Sequence, residues 1–181
     1  MNIFYLDSNP KTCAEYHCDK HVVKMILEYA QLLSTAHRVL DGALTVGISK
    51  TGRKAKRYVL PDARESILYT ATHINHPSAV WVRKSRENYA WLFHLLECLC
   101  NEYTHRYGKT HKVQRSGLLD KLWFVPSKIP EHPKFTEPTP AMPDQYKVQN
   151  DSIESYRNYY RGAKASISGW KNRTIPEWFS Q

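Results

Sequence analysis

The sequence predicts an all-α or nearly all-α fold: a compact single-domain helical bundle with a long proline-rich segment wrapped over it. Three observations carry that expectation. Apolar residues recur at helical spacing through residues 10–40 and 78–107. Apart from residues 2–6, no run alternates with the period of two that a half-buried strand needs. Pro126, Pro130, Pro133, Pro138, Pro140 and Pro143 crowd one stretch and exclude regular structure there.

Asn9-Pro10 opens the first helix, with Asp7 to Asn9 as cap candidates and Pro10 suited to the first turn. No breaker follows until Asp41-Gly42, so one continuous helix is expected to about Leu40. Residues 42–60 read as a basic loop carrying Lys50, Arg53, Lys54, Lys56 and Arg57, and residues 62–72 as a short helix. Ser78 is a candidate cap for a second long helical region that Gly108 stops, with Ser85 able to cap a new helix inside it. Tyr89, Leu92, Leu96, Leu99 and Tyr103 form its core stripe. Residues 111–122 suggest another short helix. Residues 123–150 form the proline-rich extended segment, and 151–181 a final helix, capped by Asp151 or Ser152, with an aromatic tail.

The 181 residues suffice for one proper core. The formal net charge of +9 favours a polyanionic partner, since neutralised phosphates release their counterions. An anionic membrane surface is the competing reading. The N-terminus lacks the basic start of a signal peptide, and no apolar run approaches the roughly 20 residues of a membrane span. Cys13, Cys18, Cys98 and Cys100 fall in two close pairs within helical patterns, poorly placed for bridges, so reduced thiols and a cytoplasmic setting are expected.

The first helix concentrates the chemistry in His17-Cys18-Asp19-Lys20-His21. At 100° per residue, Cys13, His17, Lys20, His21, Lys24, Glu28, Gln31 and Thr35 share one polar strip. Asp19 points nearly opposite, in line with Val22, Ile26 and Leu33, where a carboxylate must be paired or lie at a cleft. Either the strip is a solvent face and Asp19 pairs with an Arg from elsewhere, or the strip is the wall of an active site. In the second case Asp19, His17 or His21 supplies acid–base function, and Lys20 or Lys24 contacts phosphate or serves as an amine nucleophile.

His17 and His21 also have metal-ligand spacing, with Cys13, His73 and His76 as possible additions. Lys20 and Lys24 oppose a cation on that strip, and neither a metal nor another cofactor is expected. Cations interleaved with aromatic rings suit contact with a nucleic-acid backbone and stacking on bases. The candidates are Lys24, Arg53, Lys54, Arg57, Trp81, Arg83, Lys84, Arg86, Trp91, Arg157, Tyr160 and Arg161. Tyr156 and Tyr160 serve equally well as core residues.

The stretch Cys18-Asp19-Lys20-His21-Val22-Val23-Lys24-Met25-Ile26-Leu27-Glu28, with His76-Pro77, Asn88-Tyr89-Ala90-Trp91-Leu92 and Arg106-Tyr107-Gly108-Lys109, resembles a group of uncharacterised phage proteins. Ala14-Glu15-Tyr16 and Tyr159-Tyr160-Arg161 resemble the phage pyrimidine-dimer DNA glycosylase/AP-lyase family of the endonuclease V type. That resemblance implies a basic all-helical domain, an N-terminal α-amino nucleophile, and a glutamate on the first helix. It also implies an aromatic-basic C-terminal segment near DNA. Aligned on Ala14-Glu15-Tyr16, Cys18 takes the acid's position and Asp19 follows it. Asn2 is bulky enough to keep an initiator Met1 in place, so Met1 itself or Lys20 would supply the amine.

The leading expectation is therefore a phage-encoded base-excision glycosylase/AP lyase, in which an amine attacks the sugar C1′ and Asp19 handles charge and protons. Trp81 or Trp91 would receive a flipped base. The alternatives are a non-catalytic protein binding nucleic acid or a host partner, and a metal-dependent nucleotide or nucleic-acid hydrolase using His17 and His21. The partner is DNA, another nucleic acid or a nucleotide, with no membrane; substrate and oligomeric state stay open.

Overall fold

A computed structural model describes residues 1–48 and 52–180. Eight α-helices and one two-stranded sheet are present among them, so the fold is mainly helical. Helix α1 (Pro10–Tyr16) starts as its sequence dictates: Pro10 is in the first turn, and the Asn9 side chain accepts from the amides of Lys11 and Thr12.

The expected continuous first helix breaks after Tyr16. His17 and Cys18 are extended, and α2 (Asp19–Asp41) begins anew. The amide of Asp19 donates to the Gly169 carbonyl at 2.8 Å, so a long-range partner holds the break. No Gly or Pro marks it in the sequence. The break turns the strip's first members, Cys13 and His17, into the core.

Residues 42–60 are not a loop throughout. Strands β1 (Ala43–Ile48) and β2 (Lys54–Val59) pair antiparallel, with Leu44 opposite Tyr58, Val46 opposite Lys56 and Ile48 opposite Lys54. Thr45, Val46, Ile48, Tyr58 and Val59 are residue types that fit a pleated ribbon. Lys50 lies outside the described residues.

A single turn, α3 (Arg64–Ile67), stands where a longer helix was expected. Helix α4 (Pro77–Val82) is capped by His76 rather than Ser78, and α5 (Arg86–Tyr107) by Ser85, the new start that the sequence offered inside the second helical region. Gly108 stops α5 at φ 64°, a conformation that glycine adopts without strain. Two short helices, α6 (Lys112–Arg115) and α7 (Leu118–Leu122), lead into the proline-rich stretch, and Asp151 caps α8 (Ser152–Arg161).

The core sits between α2, α5 and α1. Residues Ile3 to Leu6 thread through it without joining a sheet, and all four are buried. Their backbone is served by side chains instead: the Phe4 amide donates to Tyr29 Oη, the Leu6 amide to Cys13 Sγ, and Arg157 Nε to the Leu6 carbonyl. Such pairing removes the cost of burying extended backbone. The four cysteines are free. No described helix is long and apolar enough to cross a membrane.

Candidate active site

The buried N-terminal strand-like segment fixes where the chain begins. Ser78 Oγ donates to the Met1 carbonyl at 3.3 Å, and Phe4 is stacked on the His21 ring at a centroid distance of 4.2 Å. Anchored on both sides, Met1 presents its α-amino nitrogen 4.0 Å from Glu28 Oε2. Glu28 lies two turns beyond His21 on α2, and Lys24 Nζ is 3.2 Å from its other oxygen, one turn back along the helix. The Glu28 side chain is only 15% exposed, whereas Lys24 is 70% exposed. Met1, Phe4, His21, Lys24, Glu28, Tyr159 and Lys164 together line a pocket of about 130 Å³. Lys164 Nζ stands over the Tyr159 ring at 4.8 Å, so α8 and the turn after it supply the far wall.

This pocket joins a primary amine, a carboxylate and further cations in one opening. His76 adjoins it: its pKa is lowered by burial, and by the nearby N-terminal charge and His73. His21 is also lowered, to about 3, first by burial and then by coupling to the His17 imidazole and the positive charges of Lys164 and Lys24. It is therefore a neutral imidazole near pH 7, hydrogen-bonded through Nδ1 to Tyr160 Oη at 2.6 Å.

The other members of the 17–21 cluster sit elsewhere. His17 is fully buried, with Nδ1 2.7 Å from the Cys13 carbonyl and Nε2 2.8 Å from Tyr29 Oη. A carbonyl only accepts, so Nδ1 carries the proton and Nε2 accepts from Tyr29. Burial lowers its pKa to about 4. With both ring nitrogens committed inside the core, His17 cannot reach a substrate.

Asp19 occupies the first turn of α2 rather than the middle of an apolar face. Its carboxylate accepts from Arg106 Nη1 at 2.8 Å and from the Lys171 amide at 3.0 Å. Arg106 is itself buried and also pairs with Glu102 at 2.6 Å, while Arg173 holds the far oxygen of Glu102 at 2.8 Å. Asp19 is thus one corner of an ion-pair network outside the Met1–Glu28 pocket. Lys20 is exposed but does not line that pocket either. Of the four expected catalytic residues, only His21 reaches it.

Among the expected nucleic-acid contacts, Lys24 lines the pocket, while Lys54 and Arg57 are exposed on β2 and Arg53 immediately precedes it. Lys84 is exposed, and Arg86 is exposed beside Glu131. Arg83 is half-buried, donating to the Ala79 carbonyl at 2.9 Å. Trp81 and Trp91 are not stacking platforms: both are buried, with Nε1 donating to Thr136 and Ser8 carbonyls, and their rings contact each other and Phe135. Tyr160 is fully buried under His21. Arg157 Nε bonds the Leu6 carbonyl and its guanidinium lies over Trp178, while Arg161 is held by Glu154, Asn158 and the Trp178 carbonyl. The cations of α8 brace the tail.

The sequence offered a signal for Glu28, which shares the polar strip with His21 and Lys24. The aromatic-basic character of the last helix marked Tyr159 and Lys164 as nucleic-acid features, but nothing local placed them beside Met1 and Glu28, because they arrive from the other end of the chain. Among the described residues, no group of three or more His, Cys, Asp or Glu is arranged to hold a metal ion.

Comparison with known proteins adds one finding: the family model described as pyrimidine dimer DNA glycosylase matches residues 1–115. That range holds Met1, His21, Lys24 and Glu28, with Tyr159 and Lys164 beyond it. No curated protein and no solved structure matches the chain.

Proposed function

The chain belongs to the pyrimidine dimer DNA glycosylase family, and from that premise we propose a base-excising enzyme that uses the α-amino group of Met1 as nucleophile and then acts as an AP lyase. The observation that carries this reading is the amine–carboxylate pair of Met1 and Glu28, 4.0 Å apart in a pocket open to solvent.

In this mechanism the free amine attacks the sugar C1′. A C1′–N bond forms as the glycosidic bond breaks, and its electron pair leaves with the base, which takes up a proton. The amine sheds a proton and the sugar ring opens, giving a protonated imine. The Glu28 carboxylate stabilises that positive charge and then accepts the C2′ proton, so that the 3′ phosphate leaves by β-elimination. Water hydrolyses the imine and restores the amine. Lys24 and Lys164 are suited to the flanking phosphates, and neutral His21 supports Phe4 and the pocket wall without adding a competing charge. Asp19 is replaced by Glu28 in this scheme because Arg106 and Lys171 already occupy its oxygens. The phage resemblance supports a phage-encoded repair enzyme.

The test is borohydride trapping with duplexes carrying a cyclobutane pyrimidine dimer or an abasic site, followed by peptide mass mapping. A covalent adduct on the Met1 peptide is the expected result. Adducts mapping to Lys20, Lys24 or Lys164, or none on either duplex, would sink the amine assignment.

A further inference from the structure

We propose that the β1–β2 hairpin is a ribbon that lies in a groove of duplex DNA, away from the reacting nucleotide; this rests on the DNA-directed reading above. The register puts Leu44, Val46 and Ile48 on one face, with their cross-strand partners Tyr58, Lys56 and Lys54 beside them. The three apolar side chains are 53%, 68% and 72% exposed. An uncovered apolar row of this kind marks a contact surface.

Charge identifies the occupant. The two strands contain Lys54, Lys56 and Arg57 and no acid. On the face of Leu44, Val46 and Ile48 the cations are Lys54 and Lys56, so the apolar row faces base edges or sugars while these two lysines reach phosphates; Arg57, opposite Thr45, is on the other face. A second copy of the chain would bring the same lysine row against the first, which disfavours a symmetric pairing.

Dimensions agree. Six residues per strand extend about 20 Å, the length of roughly six base pairs, and the major groove is wide enough for a two-stranded ribbon. The hairpin leaves the body at the C-terminal end of α2, thirteen residues after Glu28, which is about 20 Å along a helix. The ribbon thus engages the duplex about half a helical turn from the pocket, adding affinity and register rather than chemistry.

Fluorescence anisotropy with a 30-base-pair duplex containing an abasic site, across a salt series, tests this. K54Q/K56Q is expected to weaken binding at least tenfold and to lower the slope of log K against log salt by about 2, near 0.9 per lost phosphate contact. L44S/V46S/I48S is expected to weaken binding roughly tenfold with little change in slope, because it removes buried apolar area alone. Hydroxyl-radical footprinting with the unaltered chain gives a second readout independent of variant folding: protection extends about six base pairs to one side of the lesion. A footprint confined to the lesion, or both variants binding like the parent, overturns the ribbon, while adduct formation by the parent leaves the repair reading intact. A parent that neither binds duplex nor forms an adduct overturns both. If L44S/V46S/I48S instead abolishes dimerisation or binding to phosphatidylserine vesicles and leaves DNA affinity unchanged, a second copy or a lipid surface occupies the ribbon.

Discussion

Two carboxylates on the same helix, Asp19 and Glu28, have opposite circumstances. Asp19 stands at the first turn of α2, and its oxygens are taken by a buried guanidinium and a backbone amide. Glu28 stands two and a half turns later and faces only amines: Met1 at 4.0 Å and Lys24 at 3.2 Å. Partners fixed in the core make a carboxylate a structural tie, whereas partners at an open pocket leave it able to meet a substrate cation. Residue type does not separate these roles; the source of the partners does.

The comparison breaks most severely at Glu28. Glu28→Gln keeps the side chain's size and removes its charge, and is expected to lower dimer excision and strand cleavage by about 10²–10⁴-fold, the range typical of a lost acid–base group. Its melting temperature should stay close to the parent's. Excision at the parental rate, measured in single-turnover assays, would return Glu28 to the status of a surface acid.

The next largest effect is at the other carboxylate's partner. Arg106→Met removes the buried guanidinium shared by Asp19 and Glu102, leaving Glu102 buried with Arg173 alone. A destabilisation of about 3 kcal/mol is expected in urea unfolding, since buried Glu102 loses one of its two guanidinium partners and Asp19 its cation. The contrast between the two carboxylates fails if this variant is as stable as the parent.

A smaller effect sharpens the same contrast through pH. His17 and His21 are held neutral, with folded pKa values of about 4 and about 3, both below the ordinary imidazole value. The unfolded chain therefore binds more protons below about pH 6.5. Stability from these groups is fully present above that pH and is lost as pH falls towards 4. The slope is up to about 1.4 kcal/mol per pH unit for each histidine. Urea midpoints between pH 7 and 4.5 should follow this, and His17→Phe, which also disrupts the Tyr29 bond, should flatten the profile. A pH-independent midpoint would show that the imidazoles titrate freely.

Much of the fold was legible because its signals are local. Asn9-Pro10, Ser85, Gly108 and Asp151 each set a helix end with their own side chain or backbone freedom, and the proline run kept residues 123–143 irregular. The hairpin was missed although Leu44, Val46 and Ile48 alternate with Thr45 and Gly47: the run is short, and Gly47, Gly52 and the dense basic residues around them read as a loop. The break at His17-Cys18 was missed because the Gly169 carbonyl, 150 residues away, holds it.

The candidate site divides the same way. The sequence by itself determined a basic, mainly helical chain and a polar strip bearing His21, Lys24 and Glu28, because helical periodicity is a property of neighbouring residues. Only the tertiary structure decided which strip members meet solvent and which turn inward. It set His17 and Asp19 into internal networks, and it threaded residues 3–6 through the core so that the Met1 amine emerges beside Glu28. Those outcomes depend on partners supplied by α5, α8 and the tail, and long-range pairing of buried polar groups leaves no local trace in the sequence.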